Sequence, residues 1–354
     1  MIESMQDYEK ERYAGLEQAL LERTAALLGR EAAAVRSACL AAWQEALREG
    51  VRAQQASEQP LTCAYLSISL LNTSLLTGKP LFQMDFYDAG GAYGWPWART
   101  RSSAAFLFAY WAEFTAAALD EQYFVRSRVP AAGIRALFWE TADRLVYLFV
   151  CFAKYFVAEL ADTEAYQQLA KAPSFFVTGG MYLDWQEQLY GERPPIDLFD
   201  RAADEDTRFR QFTGEIFRGR EFGMIELKQC RFRDCLFADC SFAGTKLMDA
   251  QFQGCRFHQT VFRAAEIAGC LWQDCALRGC SFVGVQSAPP EDTDEYYAEA
   301  ELRQCYLDNV QIMQSDFSCC RLQDSRVCRL VMTDTVIDGA GEDWAVYAGG
   351  DRNG

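Results

Sequence analysis

Large apolar side chains recur at every fifth position through the second half of the chain. The first series is unbroken and has fourteen members: Phe217, Phe222, Leu227, Phe232, Phe237, Phe242, Leu247, Phe252, Phe257, Phe262, Ile267, Trp272, Leu277 and Phe282. A second series of eight resumes in the same phase: Leu302, Leu307, Ile312, Phe317, Leu322, Val327, Met332 and Ile337. A period of five fits neither an α-helix, with about 3.6 residues per turn, nor a strand, which alternates, so the backbone must turn once per repeat.

Small side chains occupy the position two residues before most of these large ones. They are Cys230, Cys235, Cys240, Thr245, Ala250, Cys255, Thr260, Ala265, Cys270, Cys275, Cys280, Cys305, Val310, Ser315, Cys320 and Ser325. Residues that bend the backbone at low cost follow two positions after the large ones. These corner residues are Asp234, Asp239, Gly244, Asp249, Gly254, Gly269, Asp274, Gly279, Gly284 and Asn309. The pattern predicts one interior shared by small and large side chains, with a corner in every repeat.

This pattern resembles the pentapeptide-repeat family, whose consensus is small, polar, Leu or Phe, polar and variable. The resemblance covers about 120 of the 354 residues and implies a right-handed quadrilateral β-helix with four pentapeptides per coil. Because stacked strands lie about 4.7–4.9 Å apart, the repeats predict five to six coils and a rod roughly 26 Å long. We expect this solenoid over 206–340, with a loop insertion at about 284–301 and a C-terminal cap or tail over 341–354.

The interruption between Phe282 and Leu302 contains Pro289, Pro290 and an acidic run. Its length equals one coil, which leaves two interpretations: a coil that has lost its consensus, or a projecting loop in place of three faces. Loops on rigid scaffolds often carry recognition, although a plain solvated loop has the same composition. The candidate partner-binding residues are Asp292, Asp294, Glu295, Tyr296 and Tyr297.

Two aromatic residues, Trp344 and Tyr347, follow the last repeat. Capping the open end of the stack is sufficient to explain them. The family resemblance also implies that they could join two rods end to end. They are therefore candidates for a cap or for a homodimer contact through the C-terminal end.

Residues 1–205 lack the five-residue period and have apolar residues at helical spacing. The pattern predicts a helical hairpin with a break at Gly29, and further helices over 62–77, 103–122, 131–160 and 163–171. Short strands are expected at Leu81–Tyr87 and Phe175–Thr178, and a turn at Gly179 and Gly180 is expected before a helix that starts near Tyr182. The whole chain is thus expected to be an α+β multidomain protein: a mainly α-helical domain followed by the solenoid.

Composition limits the chemistry that the chain can carry. The 14 cysteines come without a signal peptide, so we expect reduced thiols and a cytoplasmic location. Nine of the eleven cysteines in the repeats hold the small inward position and are expected to be buried, whereas Cys319 and Cys328 lie outside that register. Thiols five residues apart point into successive faces, which does not favour a metal site. We predict no cofactor, no metal and no catalytic residue.

The remaining polar motifs are weak. His258 is the single histidine, which rules out a histidine-based zinc site, and the segment from Asp85 to Gly91 indicates either a turn or a polar site. The most apolar stretch, Leu145–Leu160, is short for a membrane span and contains Lys154.

Charge separates the candidate functions. The chain has a formal net charge of -16, yet residues 201–286 contain 11 acidic and 12 basic side chains. Direct nucleic-acid binding is therefore not expected. The sequence favours a non-enzymatic protein–protein interaction or scaffolding module with an unknown protein partner. The alternatives are a DNA mimic that binds DNA gyrase, which needs acidic rows along the rod, and a ligand-binding or enzymatic α-helical domain targeted by the solenoid.

Overall fold

The computed structural model describes residues 4–91, 94–120, 129–200, 206–223, 225–290, 297–337 and 344. The chain forms two compact units, Met1–Gly191 and Glu192–Gly354. Leu198 and Phe199, which the expected boundary after residue 205 assigns to the first domain, pack in the core of the second unit. Among the described helices, none combines the length and apolar character that a bilayer crossing needs.

The first unit contains two long consecutive helices at its start and one long helix in its middle. Its helices are α1 (Met5–Tyr8), a π-helical turn (Glu9–Tyr13), α2 (Ala14–Arg30), α3 (Ala32–Ala56), α4 (Asn72–Leu76), α5 (Trp111–Ala118), α6 (Ala131–Ala153), a 3-10 helix (Val157–Asp162) and α7 (Glu164–Gln168). The predicted hairpin is not confirmed, because Glu31 alone separates α2 from α3 and helical hydrogen bonds continue across it, from the Glu31 amide to the Leu27 carbonyl and from the Val35 amide to the Glu31 carbonyl. The break lies at Glu31 and not at Gly29.

The first unit also contains a five-stranded sheet in the order β3-β2-β1-β4-β5. Its strands are β1 (Cys63–Leu70), β2 (Leu81–Tyr87), β3 (Ala98–Ser103), β4 (Lys171–Met181) and β5 (Gln186–Glu192). One face is apolar and packs against α3 and α6. Two glycines permit this close packing: a Cβ on Gly50 would lie 2.7 Å from the Phe86 ring, and one on Gly179 would lie 2.8 Å from Leu189.

The helix predicted over 62–77 is wrong, because residues Cys63–Leu70 form the central strand β1. Leu66, Ile68 and Leu70 alternate with serines, which is the two-residue period of a strand with one apolar face. The helix expected near Tyr182 is also wrong, since Gly179 and Gly180 lie inside β4 and the chain turns directly into β5. The strand predicted at Leu81–Tyr87 is confirmed.

The second unit is a four-sided parallel β-helix. Face 1 consists of Gln211–Thr213, Arg231–Arg233, Gln251–Gln253, Leu271–Gln273, Ala300–Arg303 and Cys320–Gln323. Face 2 consists of Ile216–Arg218, Leu236–Ala238, Arg256–His258, Ala276–Arg278, Tyr306–Asp308 and Arg326–Val327. Face 3 contains Val261–Arg263, Ser281–Val283, Val310–Met313 and Leu330–Thr333, and face 4 is held by single bridges at Glu226, Lys246, Glu266, Gln286, Asp316 and Val336. The six strands of faces 1 and 2 define six coils.

The predicted inward ladders are confirmed. On face 3 the rings of Phe222 and Phe242 stack with centroids 4.4 Å apart and planes 3° from parallel, and Phe262 and Phe282 continue the column. Each of these four rings is buried. At the start of the rod, Phe199 packs edge-on against Phe222 and closes the first coil.

The interruption is an insertion at one corner and matches neither interpretation drawn from the sequence. Coils before it pair residues twenty apart, as in Gln251 with Leu271, whereas across it Leu271 pairs with Glu301, thirty residues on. Gln286 still bridges to Glu266, so face 4 of the fourth coil is retained. Ten extra residues therefore enter between faces 4 and 1, and no face is lost.

Each predicted corner residue has a left-handed backbone, with φ between 54° and 72° among the Asp, Asn and Gly members. Ala264 occupies the same position with φ 48° and has none of the advantages of those residue types. An L-residue in this region costs about 1–2 kcal/mol, whereas glycine adopts it freely.

We therefore expect Ala264→Gly to stabilise the rod by about 0.5–1 kcal/mol, because the strain removed exceeds the extra entropy of glycine in the unfolded chain. Urea unfolding of the full chain followed by circular dichroism measures the change. Ala243→Gly is the matched control, since Ala243 is not among the left-handed residues, and it should destabilise by about 0.5–1 kcal/mol. Equal effects of the two substitutions would contradict the strain argument.

Candidate functional site

The insertion is attached to the outside of the rod at Tyr297. This side chain is 7% exposed and packs against Met248 and Ala268, which point outward from face 4 of the second and third coils. The Nζ atom of Lys228, on the first coil, lies 5.3 Å from the centre of the Tyr297 ring, within the range of a cation–π contact. The end of the insertion thus lies along face 4 and does not project from it.

Both ends of the insertion are fastened to neighbouring coils. Before it, the amide of Ser287 donates to the carbonyl of Asp316 at 2.9 Å, and the Ser287 hydroxyl accepts from the Cys319 amide at 3.0 Å. After it, the amide of Gly269 donates to the carbonyl of Ala298 at 3.0 Å. Of the predicted partner-binding residues, Tyr297 is therefore an anchor, and Asp292, Asp294, Glu295 and Tyr296 lie outside the described residues.

The candidate cap residue Trp344 is fully buried in the last coils of the rod. Its indole Nε1 donates to the carbonyl of Cys320 at 2.8 Å, and its ring meets Phe317 edge-on with centroids 5.6 Å apart. Tyr347, the other candidate for a cap or dimer contact, lies outside the described residues.

The outward side chains of face 2 carry positive charge in its middle coils. His258 and Arg278 are direct neighbours on adjacent coils, and Arg256 lies two residues before His258 on the same strand. The guanidinium of Arg278 lies 5.5 Å from the centre of the Tyr306 ring. Acidic residues of this face enter ion pairs in the later coils, as Asp308 does with Arg329 at 2.8 Å. Within the described coils, face 2 has no continuous acidic row.

The inward cysteines form hydrogen bonds from one coil to the preceding one. The thiols of Cys235, Cys255 and Cys275 donate to the carbonyls of Phe212, Phe232 and Phe252 at 3.3–3.4 Å. The hydroxyls of Thr245 and Thr260 make the same bond. The prediction that these cysteines are buried is confirmed, and the structure adds that their thiols donate hydrogen bonds.

Sequence reasoning missed one arrangement of these thiols. Cys235, Cys255, Cys275 and Cys305 occupy the same position in four consecutive coils, and each thiol contacts the next. The relevant spacing is one full coil, which is twenty residues from Cys235 to Cys255 and to Cys275 and thirty residues across the insertion to Cys305, and not the five-residue spacing that places thiols on different faces. Among the described residues, no group of three or more His, Cys, Asp and Glu side chains is arranged to hold a metal ion.

The segment from Asp85 to Gly91, which indicated a turn or a polar site, begins inside β2. Asp85 is part of that strand and is 2% exposed. Its carboxylate accepts hydrogen bonds from the Tyr87 hydroxyl at 3.2 Å, Gln83 at 3.0 Å and Arg99 Nε at 2.8 Å. Burial, together with the neighbouring Asp85 carboxylate, raises the pKa of Tyr87 to about 12. Asp88 lies in the following turn, where it accepts from the amide of Gly90.

The same face of the sheet continues as a polar network on β1, β4 and β5. Gln186 accepts from the hydroxyls of Ser67 and Thr178 and donates to Ser69, at 2.9–3.0 Å. The sheet thus has one apolar face and one hydrogen-bonded polar face. The signal was present in the sequence as the alternation of serines in β1 and of Gln83, Asp85 and Tyr87 in β2.

Comparison with known proteins agrees with the geometry of the rod. Residues 211–288 match the family model described as a pentapeptide repeat region. This part of the chain is a pentapeptide-repeat region. The stacked coils extend the pentapeptide-repeat geometry through Val336. No curated protein matches the chain.

Solved structures that resemble the pentapeptide-repeat region share little sequence with it. Full-length QnrB1, a plasmid-mediated fluoroquinolone resistance protein, is 18% identical, with 40% of this chain and 80% of QnrB1 covered and a TM-score of 0.25. HetL, involved in the regulation of heterocyst differentiation in the cyanobacterium Nostoc, is 10% identical, with coverages of 36% and 85% and a TM-score of 0.19. Rfr23 from the cyanobacterium Cyanothece is 10% identical, with coverages of 36% and 86% and a TM-score of 0.15.

Thiol reactivity should follow burial. Burial raises the pKa of Cys39 and Cys230 to about 12 and that of Cys280 to about 11, so these groups remain protonated thiols near neutral pH. We expect a thiol reagent to modify exposed Cys328 rapidly, half-buried Cys319 slowly and the other twelve only after unfolding. Cys328→Ser should remove the fast phase alone. Rapid native modification of more than two thiols would contradict the assignment.

Tyr297 should control the attachment of the insertion to the pentapeptide-repeat region. Tyr297→Ala removes its contacts with Met248, Ala268 and Lys228, and we expect a local loss of about 1–3 kcal/mol. Hydrogen exchange at the Gly269 amide, which donates to Ala298, should accelerate correspondingly. Tyr306→Ala is the control, because Tyr306 lies on face 2. Unchanged exchange at Gly269 in the Tyr297 variant would show that the loop is held elsewhere.

Proposed function

We propose that the chain is a non-enzymatic protein-binding scaffold built on its pentapeptide-repeat rod. The observation that carries this proposal is that inward and outward positions of each repeat have different roles. Inward positions are filled by packed rings, aliphatic chains and thiols, and outward positions form columns whose members repeat about every 4.7–4.9 Å. Such a rod offers a rigid, extended surface and keeps its interior filled.

The acidic insertion is the part of this surface that we propose for partner contact. Residues 287–354 contain 14 acidic and 5 basic side chains, and Asp292, Asp294 and Glu295 are among them. The contacts of Tyr297 and the bonds of Ser287 and Ala298 hold the ends of the insertion on face 4. A loop held at both ends loses less entropy on binding than a free one, which favours recognition.

The chemistry of the described residues supports a binding role over catalysis. The inward thiols are buried and hydrogen-bonded to backbone carbonyls, so they lack the exposure that a nucleophile needs. His258 is exposed on face 2 and has an arginine, Arg278, beside it on the next coil. Neither arrangement resembles a nucleophile held by a base.

Charge reversal in the insertion tests the proposal. We expect Asp292→Lys, Asp294→Lys and Glu295→Lys together to abolish the capture of at least one protein that the unaltered chain retains from an extract of its native cell. Matched charge reversal of three exposed carboxylates of the first unit, Glu31, Glu58 and Glu187, should leave that capture intact. Capture is quantified by mass spectrometry against the affinity tag alone.

Two results would count against the proposed role of the insertion. One is that both triple variants retain the same proteins. The other is that the unaltered chain retains nothing beyond the tag control. A DNA mimic predicts a different result, inhibition of DNA supercoiling by purified gyrase, and the basic residues of face 2 disfavour it because mimicry needs acidic rows.

A further inference from the structure

The edge strand β3 differs from the other strands of the first unit's sheet. It pairs with β2 on one side and ends the strand order on the other. Its residues alternate between half-buried and exposed, and none is buried, whereas β1, β2, β4 and β5 each contain several buried residues. An exposed edge is a template for a further strand, and proteins normally shield it.

The register shows which backbone groups of β3 are unused by the sheet. The amide of Ala104 donates to the carbonyl of Pro80 at 2.9 Å, which fixes the hydrogen-bonded positions of the antiparallel pair. In such a pair alternate residues direct their backbone groups toward and away from the partner strand. Arg99, Arg101 and Ser103 therefore direct their N–H and C=O groups away from β2.

Two arginines project from this edge on the polar face of the sheet. Arg99 and Arg101 are alternate residues, about 7 Å apart along the strand. The Nε atom of each is held by a side chain that is 2% exposed: Arg99 by Asp85 at 2.8 Å and Arg101 by Gln83 at 3.3 Å. Buried partners on β2 thus hold both guanidinium groups over the polar face of the sheet, next to the edge.

Within the part of the chain that the structure describes, the terminal nitrogens of these arginines have one hydrogen-bond partner between them. Arg99 uses one of them for a long contact of 3.4 Å with the Tyr182 hydroxyl, and its side chain is 39% exposed. Arg101 has no acidic partner among the described residues. Asp85 balances the charge of Arg99 only, so the edge carries one unbalanced positive charge beside a second oriented guanidinium.

We infer that β3 is a docking edge for an extended, acidic segment of a protein partner. The inference deepens the proposed function and rests on its claim that the chain binds proteins, but it uses a surface other than the insertion. The segment adds a strand to β3 through the backbone groups of Arg99, Arg101 and Ser103. Acidic side chains at alternate positions of the segment then lie beside Arg99 and Arg101 and accept charge-assisted hydrogen bonds.

Selection of short random peptides displayed on phage, with the full chain as target, tests this inference. We expect the enriched peptides to contain Asp or Glu at alternate positions and no proline between them. Arg99→Gln with Arg101→Gln should weaken their binding by roughly 10-fold or more, and Arg101→Gln alone should weaken it while leaving the buried Asp85 paired. Arg30→Gln with Arg135→Gln removes two exposed charges elsewhere in the unit and is the matched control.

The backbone contribution is tested at Ser103. Ser103→Pro removes an outward N–H without removing a bond to β2, so the fold should persist by circular dichroism while peptide binding weakens several-fold. Ser103→Ala is its control, because it loses only the hydroxyl that accepts from the Ala105 amide at 3.2 Å and should bind as the unaltered chain does.

Three results would overturn the inference: no enriched peptide, enriched peptides without an acidic preference, or equal binding by the Arg99/Arg101 variant and its control. The last two would show that the arginines only shield the edge from pairing. Each of these results leaves the insertion test unaffected, because the charge reversals there lie in the other unit. The experiments therefore distinguish failure of the docking inference for β3 from failure of the proposed scaffold function.

Discussion

One constraint underlies the rod: in almost every repeat a residue accepts a left-handed backbone so that the chain can turn a corner. Glycines do this with φ from 57° to 72° in the rod, and Asp, Asn, Gln and Ala do it with φ from 48° to 61°. The turn aligns each face with the same face of the coil below, which brings backbone donors opposite carbonyls and rings opposite rings. Because Asp and Asn tolerate this region better than most L-residues, their recurrence is as informative as that of the phenylalanines.

The rod could be predicted because its period is unlike that of any other secondary structure, whereas its connectivity could not. The extra ten residues are a whole number of repeats, so Leu302 keeps the phase of Phe282 although it stacks on Trp272. The phase of the five-residue period shows whether a side chain points inward. It does not show which residue of the preceding coil that side chain stacks on. The same limitation concealed the column from Cys235 to Cys305, whose members are adjacent only after the coil has closed.

The first unit shows a different limit. The long helices α3 and α6 and the strand β2 followed from spacing, whereas the segment of β1 was predicted to be helical. Strand pairing decides this case: Ser67 lies between Asp85 and Thr178, and Ser69 lies between Gln83 and Gly180. A sheet with one polar and one apolar face makes polar and apolar residues alternate in each of its strands. The match between neighbouring strands becomes visible only once they are paired, so one segment of sequence does not reveal it. The arrangement of Arg99 and Arg101 beside Asp85 and Gln83 likewise becomes visible only when the strands are paired on this polar face.

Tyr297 has a consequence for how the rod comes apart. In a solenoid each coil ordinarily contacts only its neighbours, so fraying from one end can proceed coil by coil. Tyr297 belongs to the connection between the fourth and fifth coils, yet it contacts side chains of the first three. Unfolding that starts at the C-terminal coils therefore reaches a residue whose contacts extend back to the first coil. Unfolding beyond this point also breaks the contacts of Tyr297 with outward side chains of the first three coils. The solenoid should therefore unfold more cooperatively than a stack whose coils contact only their neighbours.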